Sequence, residues 1–186
     1  MTGPLLVITP VCDNNQLKLF VMNSRTSLEQ LNTAKYIRLR EISESDETFN
    51  NLSIVVEEAV VNYGGSVHAP TPGLEALLKD AHPIEPVEGC KRFRLFWKQY
   101  VAYLVTEELV GSNASQGYDD EQFEGKVFRT YTKSHFLSHV ARDTGGHIHE
   151  VLHFKLVCLD HLIDIASYHA PEIEVLTDDS TMLRVQ

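Results

Sequence analysis

A chain of 186 residues with 43% apolar and 23% charged side chains is long enough to bury a substantial core as one domain. Sixteen basic against 26 acidic residues leave a formal charge of −10, which excludes broad contact with phosphate backbones, because affinity for nucleic acid is mainly phosphate neutralisation. Three widely spaced cysteines, Cys12, Cys90 and Cys158, without a C-x-x-C pair, encode neither a disulfide framework nor a thiolate zinc site and point to a reducing, cytoplasmic setting.

The opening stretch from Met1 to Cys12 lacks a basic region and is interrupted by Pro10, so it reads as a poor signal peptide. No apolar run approaches the roughly 20 residues that span a bilayer, and no membrane association is expected. "LLVITPVCDNNQLKLFVMN" reads as two strands joined at Asp13-Asn14-Asn15, and a short helix is expected from Ser27 to Ala34. In "DETFNNLSIVVEEAVVNYGG" the residues Phe49, Leu52, Val56, Val60 and Tyr63 fall on one helical stripe. Ser45 stands as its N-cap and Gly64-Gly65 as its stop, which predicts a helix. "PTPGLEALLKDAHP" suggests a further short helix between prolines.

The second half has more strand character. In "KRFRLFWKQYVAYLV" one face carries Phe93, Leu95, Trp97, Val101, Tyr103 and Val105, and the other Arg92, Arg94 and Lys98. A polar loop with Asp119, Asp120, Glu121 and Glu124 follows, then a strand at "KVFRTYT" and a helix at "SHFLSHVARDTGG" capped by Ser134. The expected fold class is α+β: a single domain over 1–186, mostly antiparallel sheet with several short helices packed on one side. Its amino-terminal part, 1–85, reads as richer in helix and its carboxy-terminal part, 86–186, as richer in strand.

Seven of the nine histidines lie between 135 and 169. On the helix after Ser134, His135 and His139 are four residues apart on the solvent side, a spacing that suits two ligands of one metal ion. Further on, His149-Glu150-Val151-Leu152-His153 resembles the H-E-x-x-H motif of the zincin metalloproteases. The resemblance implies zinc held by His149 and His153, Glu150 as general base on the bound water, and a third ligand downstream at Glu172 or Glu174. It covers five residues, and the chain departs from the family pattern at Lys155, where a hydrophobic residue is usual. Leu156 and Leu159 occupy the positions of the metzincin extension.

The motif requires a helix. As a strand, 149–158 points Leu152, Phe154, Leu156 and Cys158 inward and His149, His153 and Lys155 outward, and sets His149 about 13 Å from His153 at roughly 3.3 Å per residue. Only His147-x-His149 then remains as a ligand pair, alone or with His135 and His139 if 143–146 turn the chain back. The alternation favours the strand. Cys158 beside Asp160 and His161 reads as a buried structural thiol, since a strand sends Cys158 inward and His161 the other way.

These features point to a binding or interaction protein without catalytic activity or cofactor. Its partner would be a basic protein drawn by the acidic surface, with Asp119, Asp120, Glu121 and Glu124 as the first contact, or a second copy joined through a sheet edge as a homodimer. The alternative is a zinc-dependent hydrolase built on His149, Glu150 and His153.

Overall fold

The computed structural model describes residues 26–45, 50–67, 71, 74, 78, 80–113 and 120–176. The two strands expected before residue 22 lie outside them, as does most of the helix expected between the prolines, of which Leu74 and Leu78 are described and helical. A helix at 26–33 (α1) matches the expected one. The chain then runs through β1 (Tyr36–Ser45), β2 (Asn51–Val61), β3 (Ile84–Glu85) and β4 (Arg92–Trp97). After these come β5 (Tyr100–Glu107), α2 (Glu108–Asn113), β6 (Gln122–Glu124) and β7 (Phe128–Lys133), followed by α3 (His135–Asp143), β8 (Leu152–Val157), β9 (His161–Ser167) and β10 (Glu172–Leu176).

The strands form two antiparallel sheets. One has the order β1-β2-β4-β10, with β3 paired to β2, and the other the order β5-β9-β8-β7-β6. Both inner faces meet in one core. Ile37, Leu52, Ile54, Val56, Phe93, Leu95, Trp97 and Ile173 come from the first sheet, and Phe128, Phe154, Leu156, Ile163 and Ile165 from the second. Trp97 stands 6.4 Å from Phe128 and 6.3 Å from Phe154, ring centre to ring centre, and so joins the two layers. Each such side chain, withdrawn from water, contributes about 1.5–3 kcal/mol.

About half of the described chain is therefore antiparallel sheet, in two facing layers, where one sheet under several helices was expected. The largest correction falls on 50–65, the described part of the expected helix. The predicted helix is β2, hydrogen-bonded to β1 from Asn51 to Ala59 and to β4 from Leu52 to Glu57. Leu52, Val56 and Val60 are spaced by fours and fit a period of two as well as 3.6. Ile54 falls between them on the buried face, and the β-branched Ile54, Val55 and Val56 favour the pleated surface. Tyr63, the end of the supposed stripe, is 77% exposed. β1, which pairs with β2, also lies in the part expected to be helix-rich.

"KRFRLFWKQYVAYLV" is two strands. They are separated by Lys98 and Gln99, and Gln99 takes a positive φ of 56°. The turn carries the chain from the first sheet into the second. At the β6–β7 turn a glycine is required: Gly125 has φ 99°, and a Cβ there would lie 2.0 Å from the Phe128 carbonyl oxygen. Gly145 and Gly146, at φ 64° and 75°, close α3, with Gly146 N–H donating to the Ala141 carbonyl. Among the described residues no helix is long and apolar enough to cross a membrane.

Candidate functional site

On the outer face of the second sheet, alternation brings Tyr131 of β7, His153 and Lys155 of β8 and Asp164 of β9 side by side. Tyr131 is registered with His153, and Lys155 with Asp164. The helix α3 lies over them. Ser134 caps it, its hydroxyl oxygen accepting from the Leu137 N–H at 3.0 Å, and the same oxygen lies 2.8 Å from Nδ1 of His153. Nε2 of His153 is 2.8 Å from Oδ1 of Asp164, which also meets Nζ of Lys155 at 3.0 Å. In the tautomer with the proton on Nε2, that nitrogen donates to Asp164 and Nδ1 accepts the Ser134 hydroxyl proton. Every member then has a partner. His153 is 1% exposed and lies between the Tyr131 ring at 4.1 Å and the Phe136 ring at 5.0 Å.

Burial works to lower the affinity of Lys155 for its proton, but the charge and hydrogen bond of Asp164, with lesser help from Tyr131 and Glu121, outweigh it and hold the ammonium above its usual range. The pair is thus charged and compensated.

Serine, histidine and aspartate in one chain of hydrogen bonds invite a comparison with acyl-transfer sites, and the surroundings argue against it. An oxyanion needs free donors beside the nucleophile. The His135 N–H donates to Oε1 of Glu121 at 2.8 Å, and the Leu137 N–H to Ser134 itself. The Glu121 carboxylate thus takes up a backbone donor that an oxyanion beside Ser134 would need. The chemistry of the cluster is that of a satisfied polar network, which fixes α3 on the sheet.

The zinc arrangement requires 149–153 to be helical, and they are not. His149 and Glu150 precede β8, Glu150 takes φ 58°, and His153 lies inside the strand. His153 has both ring nitrogens engaged. Glu172 and Glu174 lie on the outer face of the first sheet, paired with Lys98 and Arg94, with the core between them and His153. His135 Nε2 meets Asp120 at 2.6 Å, and His139 lies 3.3 Å from Asp143 and 2.9 Å from Arg142. His147 and His149 are exposed. Among the described residues no group of three or more His, Cys, Asp or Glu side chains is placed to hold a metal ion.

Two further expectations are corrected. His153 and Lys155 do lie opposite Phe154 and Leu156, but α3 packs over that face, so that His153 is buried and Lys155 only partly exposed, while Leu152 is exposed. The acidic loop is partly consumed within the chain: Asp120 binds Lys133 and His135, whose hydrogen bonds pull its carboxyl down to about 2, and Glu121 caps α3. Cys158 is buried in the core, and burial with the nearby Asp160 pushes its thiol up to about 12, which leaves it inert at neutral pH. The partnership of Lys155 with Asp164 was within reach of the sequence, because a hairpin turning at 159–160 sets those two residues opposite each other.

The outer strands of the sheets differ in a second way. β1 carries Arg38, Arg40, Glu41 and Glu44, β10 is five residues long with two glutamates, and β6 has three residues. Charge and shortness are the usual protections of a sheet edge. β5 has neither: it is eight residues long, and from Tyr100 to Thr106 it bears no charge. Among the described residues it pairs with β9 alone. Leu104 is 49% exposed on its outer face, and just past the strand Leu109 and Val110 of α2 are 67% and 62% exposed. Comparison with protein-family models, with curated proteins and with solved structures finds no match for the chain.

Proposed function

We propose that this is an interaction protein without catalytic activity or cofactor, which takes a polypeptide partner onto β5 by strand addition. The observation that carries the reading is the contrast among the end strands of the two sheets in the described residues: β1, β6 and β10 are protected by charge or shortness and β5 is not. A long uncharged edge is an aggregation hazard unless something pairs with it. The backbone N–H and C=O groups that point away from β9 would supply the affinity, and Leu104 and Val105, exposed on the two faces of the strand, the selectivity. The net charge of −10 would hasten the approach of a basic partner without fixing where it docks. Cys90 and Cys158, both free thiols, fit the reducing cytoplasm proposed as its location.

The test is a soluble peptide carrying residues 100–107 between flanking lysines. Saturable binding is expected, lost in the Leu104→Lys chain and lost when alternate peptide amides are N-methylated. No binding at about millimolar peptide, or equal binding of the methylated peptide, would overturn the reading.

A further inference from the structure

We infer that the partner is a second copy of this chain, joined β5 to β5 in antiparallel fashion about a twofold axis at Leu104. The inference rests on the strand-addition reading and adds the identity of the occupant.

The ends of the strand carry opposite charges. Lys98 precedes the uncharged run, and Glu107 and Glu108 follow it. A parallel copy would set like charges together. An antiparallel copy about Leu104 sets Glu107 and Glu108 of each chain opposite the partner's Val101 and the partner's Tyr100, at the end that carries the partner's Lys98, and so keeps the acidic ends of the two strands apart. Lys98 is bound to Glu172 and stays more than half exposed, so its charge still faces that end of the strand.

Hydrogen-bonding parity fixes where the axis falls. On a strand edge, the outward N–H and C=O groups belong to alternate residues. Hydrogen-bonded partners in a β5–β5 pair therefore share parity, their numbers sum to an even value, and the axis passes through a residue position. The register of β5 against β9 shifts between Tyr100 and Ala102, so the regular stretch begins at Ala102 and ends at Glu107. An axis at Leu104 uses 102–106 and keeps every pair uncharged: Ala102 faces the partner's Thr106, Tyr103 the partner's Val105, and Leu104 the partner's Leu104. An axis at Tyr103 would draw in the irregular residues, and one at Val105 would set Tyr103 against the partner's Glu107. Leu104, half exposed in the single chain, is covered in the pair.

The test uses cysteine pairing in the full chain with Cys12 and Cys90 changed to serine, which leaves only the buried Cys158. Directly opposed residues of an antiparallel pair lie about 4.5–5.5 Å apart at Cα, within disulfide reach. Leu104→Cys should oxidise to a covalent dimer, and Thr106→Cys, whose counterpart is the partner's Ala102, should not. Sedimentation equilibrium of the unaltered chain should show a dimer, with a dissociation constant raised at least tenfold by Leu104→Lys. A chain that stays monomeric at about 100 μM overturns the inference, whereas a failure of the peptide experiment overturns the strand-addition reading itself. A dimer that ignores Leu104→Lys, or that links through Thr106→Cys and not Leu104→Cys, overturns the β5 axis.

Discussion

The two sheets share a core and treat their outer faces in opposite ways. On the first, Arg94 meets Glu174, Lys98 meets Glu172, and Arg92 and Arg40 flank Glu57. The Arg94–Glu174 and Lys98–Glu172 pairs, across neighbouring strands, stand in solvent, while Glu57 is largely covered. On the second, His153, Asp164 and Lys155 make a similar set of contacts beneath α3, where their side chains are 1%, 10% and 18% exposed. The chemistry of the residues is alike, but the dielectric around them differs, and with it the cost of losing a partner. In water a bereaved charge is rehydrated. Beneath a helix it stays unpaired.

That contrast sets the order of expected effects. Asp164→Ala strands both Lys155 and Nε2 of His153 in a largely buried setting and should cost about 3–5 kcal/mol in urea unfolding. A loss below 1 kcal/mol would mean that the helix opens readily and that the face is not truly dry. Ser134→Ala removes a helix cap and the partner of Nδ1 together, for about 1–2 kcal/mol. Ser134→Asn, which restores a cap but not a hydroxyl beside the ring, separates the two contributions. Arg94→Ala, on the solvent-facing side, should cost less than about 1 kcal/mol, and any cost should shrink in high salt. A loss there equal to that of Asp164→Ala would erase the distinction between the faces.

Legibility cut across that division. The first sheet's β4 was readable because its alternation is complete, with Phe93, Leu95 and Trp97 inside and Arg92 and Arg94 outside. α3 was readable from its cap and its closing glycines. β2 was not, because apolar residues four apart satisfy helix and strand alike, and the spacing alone does not say which hydrogen bonds the backbone will find. The outer face of β8 was misjudged for a different reason. A polar residue opposite an apolar one reads as solvent-facing, and only tertiary structure lays a helix over it. That β5 pairs on one side alone among the described residues was invisible for want of a strand order, which no local pattern contains.

One consequence concerns the order in which the layers are completed. Residues 100–167 build the second sheet from one unbroken stretch of chain, while the first is assembled from 36–97 and then from β10, after the chain has returned. The Arg94–Glu174 contact joins residues 80 apart. Closing so long a loop costs entropy before the contact returns anything. In the second layer β5 must also close a long span, Tyr100 against Ser167, but the span from Arg92 to Leu176 is longer still, so loop closure makes β10 the strand expected to pair last.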